Sequence, residues 1–341
     1  MVGIVGYGIY IPYYRLKISD IAQAWLQPRK IPGEKAIPAI DEDIFPLGLN
    51  AARNAMTHAG IDPGLVGLVY FCTFSSPLIE GAISNQLAYA LGCKENITPA
   101  DFGASPRAST LALQSCVDAL NAGRSKAGVI VAADCLSAHP GSELDYTASS
   151  GAGSLILGNN GVIAEILDIE SYSTTFREKW RHEGADPTMG DGRFVRGNAI
   201  KIMSTTVQNS LKKTGFSVGD FNHVIFQQSG PAPQRWISDM AKRLKISKEQ
   251  LAKGLIFSNF GDTGSASVLI GLASVLDNAK AGEKILCVSF GSGGSDAITL
   301  EVKDAIEEKK GKITSVKHFI EDKEYIDYFT SLRYNKLIKR G

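Results

Sequence analysis

The stretch FGASPRASTL, residues 102–111, returns in its small and apolar positions as FGDTGSASVL, residues 260–269. Each copy opens a helix rich in small apolar residues, and each helix leads into a strand. A second pair has almost the same spacing, because the strand Leu68–Phe71 and its polar loop are echoed by His223–Phe226 and another polar loop. The chain is therefore interpreted as two copies of one α/β unit. In such a protein the helix N-termini and post-strand loops of both halves can converge on one cleft, where the chemistry is expected.

The remaining pattern alternates helices and strands, and it predicts two halves, residues 1–170 and 171–341. Continuous apolar strands predict a sheet that is buried on both faces and mostly parallel. Between the halves, residues 174–197 are predicted to form an inserted loop region holding Phe176, Trp180 and Phe194. Predicted helices cover residues 19–26, 44–59, 81–91, 105–122, 200–213, 234–244 and 265–278; predicted strands cover residues 2–7, 65–72, 127–133, 223–226, 285–290 and 297–302, with a hairpin over 149–157 and 161–169.

Composition limits the function classes. The 341 residues are 44% hydrophobic and 21% charged, with a net charge of +1, which gives no electrostatic footprint for nucleic acid or an anionic membrane. No apolar run approaches the roughly 20 residues that span a bilayer, and the N-terminus lacks a basic region before its apolar stretch, so we expect a cytoplasmic protein. The five cysteines form no Cys-x-x-Cys pair, so neither a disulfide framework nor a metal site is predicted.

Two of three short motifs favour ordinary structure, and the third leaves two interpretations open. Gly3-x-x-Gly6-x-Gly8 is not interpreted as a dinucleotide fingerprint, because Ile11-Pro12 stands where a third glycine and a helix belong. The glycine-rich run at residues 289–295 fits either a tight turn between strands or a loop lining a cleft. Cys135 and His139 are interpreted as a strand-end thiol and a surface imidazole rather than a catalytic pair.

Several longer stretches carry a family resemblance that runs nearly end to end. They are similar to archaeal-type 3-hydroxy-3-methylglutaryl-CoA synthase, a branch of the thiolase superfamily. The stretches are GIVGYGIYIPYYRLK at residues 3–17, GEKAIP at 33–38, GSELDYTA at 141–148, GSGGSDA at 291–297 and YIDY at 325–328.

The resemblance implies an α/β protein with the thiolase-like five-layer αβαβα fold built from two duplicated halves. It implies no tightly bound cofactor, acyl-CoA as substrate or ligand in a narrow tunnel, and a homodimer. Association with a Cys-containing acetoacetyl-CoA thiolase and a DUF35-type zinc-ribbon/OB-fold protein is also implied. Cleft-lining loops are expected at Gly261, Gly264, Gly291 and Gly293.

The resemblance also locates the catalytic positions, and three of them are altered. The family's acylated Cys, in a run like Ala-Cys-Lys-Ala-Gly-Thr, corresponds to Pro106, and the general acid/base Glu to Ser75. The family His corresponds to Gln227, whose amide cannot carry protons near neutral pH. Only the family Asn is retained, as Asn259, where it would hydrogen-bond a thioester carbonyl.

Candidate substitutes for the lost groups are few. Ser105 adjoins the vacant Cys position, but a serine nucleophile needs an adjacent base. Tyr146 and Asp262 are candidate bases if they reach the cleft. Cys116 lies well into its helix, roughly 15 Å from the start at 1.5 Å per residue, and is predicted to be core.

Three hypotheses follow, and the first is the main one. In it the chain is a non-catalytic or acyl-CoA-binding subunit of an acyltransferase/thiolase complex, as in the bacterial phloroglucinol acetyltransferase, whose synthase-like subunit it also resembles. In the second it is an enzyme of Cys-independent carbon–carbon chemistry, aldol or retro-aldol, on a CoA thioester. In the third it is an active hydroxymethylglutaryl-CoA synthase.

Overall fold

The computed structural model describes residues 1–27, 31–182, 188–190, 192–230 and 232–338, and for residues 192–195 it describes the backbone alone. Its strands are β1 Gly3–Tyr10, β2 Tyr14–Lys17, β3 Glu34–Ile37, β4 Val66–Cys72, β5 Thr98–Phe102, β6 Ala127–Cys135, β7 Ser150–Gly158, β8 Ala164–Ser173, β9 Lys179–Trp180, β10 Met189–Gly190, β11 His223–Phe226, β12 Lys284–Val288, β13 Gly294–Val302 and β14 Glu324–Tyr325. Its helices are α1 Ile18–Ala24, α2 Ile44–Ala59, α3 Ser84–Ala90, α4 Ala108–Asn121, α5 Gly192–Thr214, α6 Pro233–Leu244, α7 Lys248–Ala252, α8 Phe257–Phe260, α9 Ser267–Leu276, α10 Ala305–Lys309, α11 Val316–Glu321 and α12 Tyr328–Tyr334.

Nine of the described strands form one mixed sheet in the order β11-β12-β13-β8-β1-β7-β6-β4-β5. The prediction of a mostly parallel sheet is wrong: β11–β12, β4–β5 and β4–β6 are parallel, and the other neighbours are antiparallel. Apolar runs report that both faces are covered, and they carry no information on strand direction. The predicted hairpin of β7 and β8 is also wrong, because β1 lies between these two strands and pairs with both.

Three hydrophobic clusters show that the helices and the sheet stack in five layers. The two ends of the sheet supply the two β layers, one with β4, β6 and β7 and the other with β11, β12 and β13. An outer cluster joins α2 and α3 to β4, β6 and β7. A central cluster joins α4 and α9 to strands of both halves, and a second outer cluster joins α5 and α6 to β11, β12 and β13. This α-β-α-β-α arrangement confirms the predicted fold. None of the helices in the described ranges is long and apolar enough to span a bilayer.

The repeated stretches form the central layer, where the two halves meet. Ser109 at the start of α4 donates a hydrogen bond from Oγ to the carbonyl O of Ser265, 2.7 Å away, in the 3₁₀ turn that precedes α9. The division at residue 170 stays a prediction. That residue lies inside β8, where Glu170 pairs with Ala297 of β13.

The chain termini build a smaller sheet on one side of the molecule. Its order is β14-β2-β3, with β14 parallel and β3 antiparallel to β2. Leu16, Ile18, Ile21 and Ile37 are buried beneath it, and partly buried aromatic side chains of the C-terminal region pack against them. Two distant parts of the sequence are thereby fixed to the same face.

The predicted loop region at residues 174–197 is partly regular. It contains the two-stranded pair β9 and β10 and the first residues of α5. Phe176 lies beside Phe290, with ring centroids 6.2 Å apart. Residues 183–187 and 191 and the side chain of Phe194 lie outside the described part of the chain.

The glycines of β1 have a packing role. A Cβ on Gly6 would lie 2.6 Å from the backbone N of Ala59, and one on Gly8 would overlap the backbone of Ala51 and Ala55. Helix α2 therefore rests directly on the strand backbone, and glycine is the residue that permits this close approach.

We predict that Gly8→Ala destabilises the protein by about 1–3 kcal/mol, because the new methyl group forces α2 away from β1. Gly197→Ala is the matched control. Gly197 is exposed in α5 with open space around its Cα, so alanine there is expected to be neutral or stabilising by up to about 1 kcal/mol. Urea unfolding of both variants measures the difference, and equal midpoints would contradict the packing role.

Candidate active site

The turn before α4 meets a glycine-rich loop, and both carry backbone strain. Ala104 has a φ of +62° and Ser292 a φ of +47°, in the left-handed region that non-glycine residues rarely occupy. Ser292 donates a hydrogen bond from Oγ to the carbonyl O of Ala104 at 3.0 Å. A Cβ on Gly291 would lie 2.7 Å from Ser105 Oγ and 2.8 Å from Pro106 Cδ. Strain of this kind concentrates at functional sites, and the contact brings the two halves together.

Pro106 lies in this turn, two residues before the first residue of α4. The neighbouring Ser105 is 6% exposed, and its Oγ accepts a hydrogen bond from the backbone N of Arg107 at 3.3 Å. The predicted substitute nucleophile therefore stands at the helix start, with its oxygen engaged by a local turn contact.

The thiols of the chain lie elsewhere, and all five are free. Cys116 and Cys287 are in the central core, Cys72 is buried at the end of β4, and Cys93 follows α3. Cys135 ends β6, and burial raises its pKa to about 12, as it does for Cys116. A thiol with so high a pKa has almost no thiolate at neutral pH and is a poor nucleophile.

Arg107, directly before α4, binds Asp296 in β13, the residue that follows the glycine-rich run. Its Nη1 contacts Asp296 Oδ1 at 2.9 Å, and Ser171 Oγ donates to the same oxygen at 2.8 Å. Thr110 Oγ1 donates to Asp296 Oδ2 at 2.5 Å. The guanidinium lies flat over Gly294, where any Cβ would overlap it.

Ser75, predicted to match the family's Glu position, belongs to a second buried carboxylate network. Its Oγ donates to Asp134 Oδ1 at 2.7 Å and accepts from the backbone N of Cys135 at 3.0 Å. Thr73 Oγ1 donates to the same carboxylate, and so do the backbone N and Oγ of Ser265, at 2.6 and 2.7 Å. Asp134 thus ties the loop after β4 to the turn before α9.

Gln227, predicted to match the family's His position, follows β11 and is fully buried. Its Nε2 donates to the carbonyl O of Gly264 at 2.7 Å. Within the described residues its Oε1 has no hydrogen-bond partner. A buried amide oxygen left without a donor is an acceptor available to a ligand.

Asp262, a predicted base, is instead the acceptor of a crowded ion-pair site. Lys179 Nζ binds Oδ2, which also accepts from Ser229 Oγ at 3.1 Å and from the backbone N of Gly230 at 2.9 Å. Oδ1 accepts from the backbone N of Gly264 at 3.0 Å. Both oxygens are engaged, so this geometry favours a fixed anion over a proton acceptor.

Glu178 is the residue that sequence analysis missed. It immediately precedes β9, is buried, and accepts a hydrogen bond from the backbone N of Ser292 at 2.6 Å. The residue lies in a stretch that has no periodicity and carries no family motif. The one local signal was the pair of adjacent charges Glu178-Lys179 before Trp180.

The structure places the other two predicted residues outside these networks. Asn259, in α8, is partly buried and its Oδ1 accepts from Ser258 Oγ at 3.3 Å. Tyr146 packs with the apolar cluster under the small sheet, beside Tyr328. Their catalytic roles stay predictions.

An open cleft of about 870 Å³ adjoins the turn before α4. Ser75, Ala104 and Cys135 line it, and Arg181, His182 and Lys336 add basic groups to its wall. The predicted cleft glycines lie where backbones approach closely. A Cβ on Gly261 would meet Thr147 O at 2.9 Å, and Gly264, Gly291 and Gly293 likewise have no room for a side chain.

Comparisons with known proteins match this chain along its whole length. The hydroxymethylglutaryl-CoA synthase of Methanocaldococcus jannaschii is 37% identical over 99% of this chain and 100% of its own length. That of Methanosarcina barkeri is 35% identical over 100% and 99%. A family model described as 3-oxoacyl-[acyl-carrier-protein (ACP)] synthase III C terminal matches residues 211–301.

Solved structures share the fold at lower identity. An HMG-CoA synthase crystallised with CoA has a TM-score of 0.85 and 18% identity, over 97% of this chain and 89% of its own. The 3-oxoacyl-[acyl-carrier-protein] synthase III of Aquifex aeolicus VF5 has a TM-score of 0.78 and 21% identity, over 88% and 100%. These likenesses establish the thiolase-like fold.

The main functional hypothesis from the sequence, a non-catalytic subunit, is therefore wrong. The relatives that match over their full length carry the name of an enzyme, hydroxymethylglutaryl-CoA synthase. That hypothesis rested on the predicted changes at three family positions, and a change at such positions does not by itself show a loss of activity, because a site can draw its reactive groups from other segments.

We predict that Asp134→Asn destabilises the protein by about 2–3 kcal/mol, because the amide retains a single acceptor oxygen and turns an N–H group toward existing donors. Asp118→Asn is the matched control, since Asp118 is exposed on α4. Urea unfolding midpoints measure the effect. Equal losses in the two variants would contradict the anchoring role of Asp134.

Proposed function

The chain belongs to the hydroxymethylglutaryl-CoA synthase family, and we propose that it is an active enzyme that forms the carbon–carbon bond of 3-hydroxy-3-methylglutaryl-CoA. The observation that carries the proposal is the match to proteins of that name at 35–37% identity over essentially the whole of both chains. The fold shared with an HMG-CoA synthase crystallised with CoA supports a CoA thioester as substrate.

The product defines the reaction. An acetyl thioester loses a proton from its methyl group, and the resulting enolate carbon bonds to the ketone carbon of acetoacetyl-CoA. The ketone oxygen takes up a proton and becomes the tertiary hydroxyl group. Water then hydrolyses the thioester that entered as acetyl-CoA, which gives the free carboxylate and releases CoA.

The helix start sets a condition on this chemistry. Pro106 provides no thiol, and burial raises the pKa of Cys135, the thiol that lines the cleft, to about 12. We therefore propose that the acetyl group stays on CoA during bond formation, which makes the step an aldol addition between two thioesters without an acyl-enzyme. This joins the two enzyme hypotheses raised by the sequence.

The cleft supports a substrate with phosphate groups. Arg181 lines the cleft and donates from Nη2 to the carbonyl O of Ser76 at 2.7 Å. With His182 and Lys336 it forms a basic surface suited to the phosphates of CoA.

The edge of the sheet supports an oligomer. Strand β5 is paired on one side by β4, and large apolar side chains are exposed close by, Ile79 at 85% and Tyr89 at 89%. Unpaired strand edges and exposed apolar groups are covered in stable proteins, which favours a second chain here. Partnership with a Cys-containing thiolase and a DUF35-type protein stays a prediction.

The direct test is incubation of the purified chain with acetyl-CoA and acetoacetyl-CoA. We expect 3-hydroxy-3-methylglutaryl-CoA and free CoA by liquid chromatography and mass spectrometry, with no label from ¹⁴C-acetyl-CoA retained on the denatured protein. Protein unfolded by heat is the control. If the chain turns over no CoA thioester in either direction, the proposed function is wrong, and label retained on Ser105 or Cys135 would replace the direct addition by an acyl-enzyme route.

A further prediction concerns the position of the missing thiol. Pro106→Cys places a thiol beside the positive end of α4, which lowers a thiol pKa. We expect this variant to retain the acetyl label in a near-stoichiometric amount, whereas Pro106→Ala retains none. Mass spectrometry of the intact proteins measures the adduct, and an unlabelled Pro106→Cys protein would show that the acetyl thioester does not reach the helix start.

A further inference from the structure

Glu178 is a buried carboxylate with one oxygen unused. The residue is 2% exposed, and Oε2 accepts from the backbone N of Ser292 at 2.6 Å. Oε1 is also buried, and the described residues supply no hydrogen-bond partner for it. A buried carboxylate oxygen without a donor costs free energy, so its retention calls for an explanation such as a ligand that it meets.

The unused oxygen lies at the strained contact between the two halves. Ser292, which binds Glu178 through its backbone N, also binds the carbonyl O of Ala104 through its hydroxyl group. The preceding residue, Gly291, packs on Ser105 and Pro106. One loop residue therefore connects Glu178 to the turn that holds the family's nucleophile position.

Other carboxylates around the start of α4 are already occupied. Asp134, Asp262 and Asp296 each accept hydrogen bonds on both oxygens, from hydroxyl groups, backbone N–H groups or a buried cation. Glu178 differs from them by its free Oε1. Among these four groups it is the one whose geometry suits proton transfer to a bound molecule.

The electrostatic surroundings favour a base that works near neutral pH. Burial raises the pKa of Glu178 above the ordinary value of a glutamate, and Asp262 adds to the rise, while the residue's own backbone N–H, Lys179 and the Ser292 N–H oppose it. Lys179 is itself bound to Asp262, so its charge is shared between the two carboxylates. A carboxylate with a raised pKa takes a carbon-bound proton more readily than an ordinary one.

We propose that Glu178 is the catalytic acid/base of this site, acting on the acyl thioester through Oε1. The C–H bond of the acetyl methyl group breaks, its proton passes to Oε1, and the enolate carbon bonds to the ketone carbon of the second thioester. The alkoxide that forms then takes the proton from Oε1, so Glu178 ends each addition ionised. This assignment rests on the proposed function. It places the acid/base role, which the resemblance puts at Ser75 and Gln227, on a residue from another segment.

The test separates proton abstraction from condensation. Acetyl-CoA is incubated with enzyme in D₂O and deuterium entry into the methyl group is followed by mass spectrometry, while condensation is measured with acetoacetyl-CoA. Glu178→Gln should lower both rates by about 10²-fold or more, with KM changed less than about threefold. Glu321→Gln, an exposed change on α11, is the matched control and should keep both rates.

The pH dependence supplies a readout that a structural role would not give. Because the base must be ionised, the wild-type exchange rate should fall on acidification through a pKa above the ordinary 4.5, and this limb should vanish in Glu178→Gln. Glu178→Asp keeps the carboxylate at a shorter reach, so it should keep the limb with a reduced rate. It also serves as the second variant if Glu178→Gln does not fold.

Each result has one meaning. Wild-type condensation with an undiminished, folded Glu178→Gln overturns the assignment and leaves the proposed function standing. Exchange in the wild type that is lost in Glu178→Gln, without condensation, supports the base and contradicts the synthase reaction. Neither exchange nor condensation in the wild type overturns both.

Discussion

The hydrogen bond from Ser109 to the carbonyl O of Ser265 joins the start of α4 to the turn that precedes α9, in the central helix layer. Two helices can approach this closely only where their side chains are small, and the repeated Ala-Ser pairs at residues 108–109 and 266–267 meet that condition. Both pairs are buried in or beside the central cluster, which contains strands of both halves. The duplication seen in the sequence is therefore also the steric condition for one shared core.

Convergence of the helix starts explains why the surrounding polar groups are buried in networks. The loops after β4, β11 and β12 lie around the starts of α4 and α9. Each loop carries polar groups that are buried there. Asp134 and Asp296 satisfy these groups and connect segments from both halves, and Asp262 joins segments of the second half. Removal of one partner from a buried charge pair is costly, whereas the intact pair contributes little net stability. Such networks fix the geometry of the loops more than they add to the free energy of unfolding.

The fold was predictable because its signals are periodic or repeated, and the site was only partly so. The repeat and the apolar strands predicted two α/β units and a sheet covered on both faces, and the family resemblance implied the five layers. Strand direction and the position of β1 between β7 and β8 depend on long-range pairing that no local pattern encodes. Ser75 and Gln227 follow their strands at the places expected from the resemblance. Glu178 was missed because it lies in an irregular segment whose position depends on contacts with Ser292. The functional hypothesis was overturned by the full-length matches to proteins named hydroxymethylglutaryl-CoA synthase, because the residues at a few motif positions do not show which other segments could supply the chemistry.

The predicted changes at the family's Cys, Glu and His positions affect acyl transfer and carbon–carbon bond formation differently. Acyl transfer to a cysteine needs a thiolate, and neither Pro106 nor the thiols of raised pKa, Cys116 and Cys135, provide one at the helix start. Carbon–carbon bond formation needs a base for the methyl proton and donors for the oxygen that gains charge, and neither has to be sulfur. The N-terminal turn of α4 keeps its positive end whatever residue stands at position 106, since that field comes from aligned peptide groups. A site can therefore lose formation of the acyl-enzyme and still retain the positive field of the helix N-terminus and a buried carboxylate. The condition is that the acyl group remains activated as its CoA thioester.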